Sequence, residues 1–162
     1  MNNPAKGARQ LRKGRYSEAG RICHVTTVAW ERQPVFLDIA NARDVVTSMR
    51  QQDGLGNVSS LCFVLMPDHL HWLFALKRGM DLSSVVRCVK TRSARLINLR
   101  RGSDCPVWSA DFHDRAIRFD EDLLSVARYI LANPLRAGLV PSIGFYPHWD
   151  AVWLDCGWDV GA

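Results

Sequence analysis

Apolar and polar positions recur along the chain at intervals that mark out its elements. Residues 21–29 (RICHVTTVA) are rich in β-branched side chains and follow Gly20, which predicts a strand. Beyond Pro34, apolar positions at Leu37, Ala40, Val45 and Met49 with polar ones between predict a helix over 37–51. Asp53-Gly54-Leu55-Gly56-Asn57 is turn chemistry, and 58–66 (VSSLCFVLM) is apolar enough for a central strand. Pro67-Asp68 makes a corner before another strand over 69–76 (HLHWLFAL). Asp81 is a good N-cap for a helix from 82 to about 99. In that helix Leu82, Val85, Val86, Val89, Ser93, Leu96 and Ile97 share one stripe, with Arg87 and Arg95 opposite and Lys90 and Arg92 on the flanks. Residues 100–111 predict a loop, and a short strand follows around 113–119. Asp120 then caps a last helix, Glu121 and Asp122 suit its first turn, and Pro134 ends it.

Strand, helix, strand, strand, helix, strand and an extra helix is the order of a ferredoxin-like split βαβ unit. The fold class predicted is α+β, an antiparallel sheet with helices on one face plus an additional C-terminal helix. Residues 1–20 are polar and aperiodic, a flexible basic arm. Residues 21–140 make one domain, and 141–162, with three of the six tryptophans, make a tail that packs across it.

Composition narrows the class. At 162 residues, 48% hydrophobic and 23% charged, the chain has the make-up of a globular protein rather than collagen, coiled coil or a disordered chain. No apolar run approaches the ~20 residues of a membrane span, and the basic N-terminus lacks the apolar stretch of a signal peptide. Five scattered cysteines without a C-x-x-C pair argue against a disulfide framework or a cysteine zinc site. A reduced, cytoplasmic protein is the expectation.

Charge adds a partner. The net charge is +5, and 17 of the 21 basic residues are arginine, whose planar fork suits phosphate contacts and base stacking. Two blocks hold most of them, one in 1–21 that includes Arg12, Lys13 and Arg15, the other in 77–101 that includes Arg87, Lys90 and Arg95. They fit either a polyanion such as nucleic acid or two solvated faces.

Two constellations carry chemistry. His69-Leu70-His71 on a strand puts both imidazoles on one face and Leu70 and Trp72 on the other. Such a pair either shares a metal ion or phosphate, or packs against polar partners; the apolar stretches around it leave few such partners and favour a ligand role. In the last helix Leu123, Val126, Ala127, Ile130 and Leu131 form an apolar face, while Asp122, Ser125, Tyr129 and Asn133 align along another. Tyr129 there is either a rim tyrosine or a nucleophile. With a metal polarising a phosphate, its phenolate can attack to give a phosphotyrosine ester and a free sugar hydroxyl.

These residues carry a resemblance. Met-Pro-Asp-His69-Leu-His71-Trp resembles the His-hydrophobic-His motif of HUH enzymes, and Arg-Tyr129-Ile-Leu-Ala-Asn133-Pro-Leu-Arg-Ala-Gly-Leu-Val resembles the catalytic helix of single-tyrosine HUH transposases. Between them, Val107-Trp-Ser-Ala-Asp-Phe-His113-Asp114-Arg115-Ala-Ile-Arg118 is similar to a segment of the branch called REP-associated tyrosine transposases. The segments span roughly residues 20 to 150. The resemblance implies a metal-dependent endonuclease and strand transferase that acts on single-stranded DNA with hairpins. It implies Tyr129 as nucleophile, His69, His71 and Asn133 as metal ligands, and Mg²⁺ or Mn²⁺ as cofactor. The ion's identity comes from the resemblance, since magnesium by itself prefers oxygen ligands.

His113 and Arg115 are candidates either for DNA contact or for bracing the fourth strand. Trp108 and Phe112 could stack a base, with core packing the favoured reading. Arg12, Lys13, Arg15, Arg87, Lys90 and Arg95 are candidate backbone contacts. Two other classes stay open. One is a hairpin-binding protein for DNA or RNA that no longer cuts. The other is a zinc hydrolase, disfavoured because Asn133 is a poor zinc ligand and no third His, Cys or Glu sits at ligand spacing. Monomer and homodimer are equally compatible with the sequence.

Overall fold

The computed structural model describes residues 20–77 and 79–154. The arm with Arg12, Lys13 and Arg15 lies outside them, as does Arg78. Five strands form one antiparallel sheet: β1 (Ile22–Val28), β2 (Val58–Leu65), β3 (His69–Leu76), β4 (His113–Ala116) and β5 (Trp149–Ala151), in the order β4-β1-β3-β2-β5. The first four strands in that order are the split βαβ arrangement the element sequence predicts. β1 and β2 both pair antiparallel with β3, so they run parallel to each other and need a crossover. Helix α1 (Ile39–Gly54) makes it, and α2 (Leu82–Arg101) makes the second, from β3 to β4.

Local chemistry places the helix ends. Asp38, not residue 37, starts α1 by accepting the amides of Ala40 and Asn41, and the helix runs three residues beyond the predicted 51. Asp81 caps α2 through the Ser84 amide, and Gly102 ends it in the left-handed conformation with φ 61°. Two corrections fall at the last helix. Asp120 does not cap it; Asp120 pairs with Arg118, and Asp122 accepts the Leu124 amide to start α3 (Leu123–Leu131). Nor does Pro134 simply end it. A short helix α4 (Asn133–Arg136) follows at once, with Pro134 in its first turn, where a missing N–H costs nothing. β5 in the tail is also an addition to the predicted elements, pairing Cys62, Phe63 and Val64 of β2 with Ala151, Asp150 and Trp149.

The sheet separates two apolar cores. On one face Cys23, Val25, Leu70, Trp72 and Phe74 pack against Ala42, Val45 and Met49 of α1 and Val85, Val86, Val89 and Ile97 of α2. On the other, Cys62, Val64 and Leu73 pack under Ala127, Ile130 and Leu131 of α3. Helices therefore cover both faces, with the extra helix alone on the second. It lies over β2, and Ile22 of β1 and Ile117 just after β4 also pack against this second core.

Candidate active site

Strand alternation sends Leu70 and Trp72 into the first core and turns His69 and His71 to the face that carries α3. Register then decides their neighbours. Thr26 of β1 lies opposite His71, and His113 of β4 lies opposite Thr26 on its other side; His24 lies between Leu73 and Arg115 in the next row. Directly opposed residues share a face, so His24, Thr26, His69, His71, His113 and Arg115 form one polar field. His71 and His113 stand two strand spacings apart in it, roughly 10 Å. The histidine pair lies on β3, between this polar field and β2, which α3 covers.

The imidazoles are engaged through their Nδ1 atoms. His69 Nδ1 is 2.6 Å from Asp68 Oδ1. His71 Nδ1 is 3.1 Å from Thr26 Oγ1 and 3.2 Å from His24 Nε2. With Nδ1 protonated on both rings, these contacts are satisfied and both Nε2 lone pairs point elsewhere, the arrangement of histidine ligands. Burial drives the His71 pKa down to about 3, helped by the charges of His69, His24 and Arg136. Burial, with Arg115, likewise lowers His24 to about 4. Both rings are neutral at physiological pH, and the neutral ring is the form that binds a metal.

The α3 face carries the remaining groups. Tyr129 is 66% exposed on that helix, with its hydroxyl free of hydrogen bonds among the described residues. Arg136 of α4 lays its guanidinium 4.0 Å over the Tyr129 ring and donates to the Tyr129 carbonyl at 2.9 Å. Its charge also reaches His71, so one cation spans the tyrosine and the histidine pair. Asn133 spends its amide N–H on the Ile130 carbonyl at 2.7 Å, which leaves Oδ1 as a free acceptor among the described residues.

The other candidates divide. Arg115 is on the same face as the histidines and pairs with Glu121 at 2.6 Å, which ties the β4 edge to the segment before α3. His113 is exposed beside it. Arg87, Lys90 and Arg95 lie on α2, across the sheet from the histidine pair. Arg87 and Lys90 line a groove of about 860 Å³ between α2 and residues 106–112. The Lys90 ammonium donates to the carbonyls of Ser109, Ala110 and Asp111 at 2.6, 3.1 and 3.3 Å, the work of a brace for that loop. Trp108 and Phe112 are each 7% exposed and packed in the first core, Trp108 donating its indole N–H to Ser93. Pattern reading passed over His24, Thr26, Asp68 and Arg136. His24-x-Thr26 on a strand was a visible signal for a second polar pair, but only the register with β3 brings it to His71.

Among the described residues no group of three or more His, Cys, Asp or Glu side chains is placed to hold a metal ion. Two imidazoles and an amide oxygen suit an ion that completes its shell with water and phosphate oxygens.

Fold and site together define an α+β protein of the ferredoxin-like type with a histidine pair on the sheet face that also carries a tyrosine-bearing helix. The family model for IS200-like transposases matches residues 20–132, and the chain belongs to that family. A REP-associated tyrosine transposase bound to a REP hairpin is similar in structure, with TM-score 0.68, 22% identity, and coverage of 90% of this chain and 87% of that one. A candidate transposase of Deinococcus radiodurans R1 is similar at TM-score 0.53 and 16% identity, covering 78% of this chain and 90% of that one. No curated protein matches the chain significantly. No helix among the described residues is long and apolar enough to cross a membrane.

Proposed function

We propose that the protein is a metal-dependent endonuclease and strand transferase for single-stranded DNA beside hairpins, working through a covalent 5′-phosphotyrosine. The observation that carries this reading is the pairing of His69 and His71, each with Nδ1 engaged, with an exposed tyrosine that lies under Arg136 on the neighbouring helix. Tyr129 Oη gives up its proton to solvent and attacks the scissile phosphorus, the bond from phosphorus to the 3′ oxygen breaks, and that oxygen leaves as a free hydroxyl after taking a proton from solvent. Rejoining reverses the step with another 3′ hydroxyl. Arg136 holds the phosphate against the tyrosine, since its guanidinium makes no ion pair among the described residues and an anion is its natural partner. His69 and His71 through Nε2, and Asn133 through Oδ1, would hold Mg²⁺ or Mn²⁺. Bound there, the ion would neutralise charge on the phosphate oxygens.

The fold and family match of a hairpin-bound relative supports hairpin DNA as the substrate class. The test is a denaturing gel of the protein with labelled hairpin oligonucleotides, in Mn²⁺ or in EDTA. A metal-dependent band at protein-plus-DNA mass, lost in Tyr129→Phe while native-gel binding persists, is the expected result. Cleavage at the same bond by Tyr129→Phe would falsify the nucleophile. A mobility shift on native gels with no covalent species for any hairpin or metal would make this a binding protein.

A further inference from the structure

His69 and His71 differ in what stands behind them. His71 faces the Thr26 hydroxyl and the His24 ring, and each of these can donate or accept a hydrogen bond. Among the described residues the hydrogen-bond partner of the His69 ring is the Asp68 carboxylate, 2.6 Å away, which accepts and does not donate. One ring can take either tautomer; the other is committed to a proton on Nδ1.

Asp68 is itself held. It lies in the corner between β2 and β3, where its carbonyl accepts the Ala29 amide at 2.8 Å and the Pro67 carbonyl accepts the Phe36 amide at 3.0 Å. Its second carboxylate oxygen accepts from Arg32 Nη1 at 3.3 Å. Arg32 reaches this corner from an unusual backbone. Glu31 and Arg32 are consecutive left-handed residues, φ 51° and 52°, in a region that non-glycine side chains rarely adopt. Such strain persists where the surroundings over-determine it, and here the turn is pinned by Trp30 N–H to Val107 O at 2.9 Å and Gln33 N–H to Trp30 O at 3.1 Å.

We propose that Asp68 is a positioning residue for His69: it fixes the Nδ1–H tautomer and presents Nε2 to the metal. The left-handed Glu31–Arg32 turn keeps the carboxylate in place through Arg32. This rests on the metal-site reading of the histidine pair. It adds that the pair is asymmetric, one ligand preset and the other adaptable.

The test uses the full-length protein without DNA. Ring ¹⁵N spectra of the metal-free protein report the His69 tautomer, and calorimetry with Mn²⁺ alone reports affinity. In the wild type His69 is expected as the Nδ1–H form. Asp68→Ala should mix its tautomers and weaken Mn²⁺ binding about 10- to 100-fold, the usual effect of removing such a partner. Asp68→Asn, which keeps the size of the side chain, should do the same should the alanine variant fold poorly. Arg32→Ala, removing an exposed ion pair, should weaken binding about two- to fivefold. Hairpin binding in EDTA should be unchanged throughout. If both Asp68 variants keep the Nδ1–H form and bind Mn²⁺ within twofold of wild type, the positioning role is wrong. If wild type binds Mn²⁺ no better than the His69→Ala/His71→Ala double variant, the metal-site reading fails and the proposal goes with it.

Discussion

Lys90 gives a sharp test of how to interpret a basic residue on a helix that belongs to a DNA-acting family. Its ammonium donates to three consecutive carbonyls, at 2.6, 3.1 and 3.3 Å, and so joins α2 to residues 109–111. Lys90→Met keeps the apolar stem and deletes those bonds. A charge-assisted hydrogen bond contributes about 1.5–3 kcal/mol. Ala110 and Asp111 are exposed and water will satisfy their carbonyls, so the half-buried Ser109 carbonyl carries most of the cost. That leaves about 2 kcal/mol. In a chain of 162 residues each kcal/mol moves Tm by about 2–4 °C, so a fall of about 6 °C is expected. Thermal unfolding followed by circular dichroism measures it, and a salt titration of hairpin binding supplies the contrast, because a brace should leave the slope unchanged. A Tm within 2 °C of wild type together with a slope shallower by about one unit would refute the brace and restore Lys90 as a phosphate contact.

Two further outcomes follow from the same reasoning. Arg87 and Arg95 are exposed on α2, and replacing both with Ala should leave Tm nearly unchanged while flattening the salt slope of DNA binding by about one unit for each phosphate left without its cation; an unchanged slope excludes that face. Mild acid should destabilise the fold through its buried histidines. The unfolded chain protonates its histidines near pH 6.5, whereas burial and Arg115 hold His24 at about 4, and burial with neighbouring charges holds His71 at about 3. Between those values the unfolded state binds more protons, so stability falls as pH drops from about 6.5, by up to about 2 kcal/mol per ring at pH 5. Urea midpoints at pH 7.5, 6 and 5 read this, and His24→Gln should shallow the trend; identical wild-type midpoints would mean the rings are not held neutral.

Much of this protein is legible in one dimension because its signals are local. A strand's alternation put His69 and His71 on one face whatever they pack against, and helical periodicity separated the buried stripe of α2 from Arg87 and Arg95. The order of elements implied the split βαβ topology, because two parallel strands joined by one helix leave room for a third between them. End points were less legible. Asp120 and Asp122 are chemically interchangeable as caps, and the pairing of Asp120 with Arg118 left Asp122 to start α3. A Pro after Asn133 reads equally as the end of one helix or the first turn of the next.

What the tertiary structure alone decided is the company each group keeps. Register across β1, β3 and β4 set Thr26 and His24 behind His71, and a strained turn brought Arg32 to Asp68 from 36 residues away. The same packing folded Arg136 back over Tyr129 and turned Lys90 from a free cation into a brace. Periodicity assigns a side chain to a face, since the backbone repeat is short-ranged. Which groups meet on that face depends on strand pairing and helix docking between distant residues, and no local pattern encodes those.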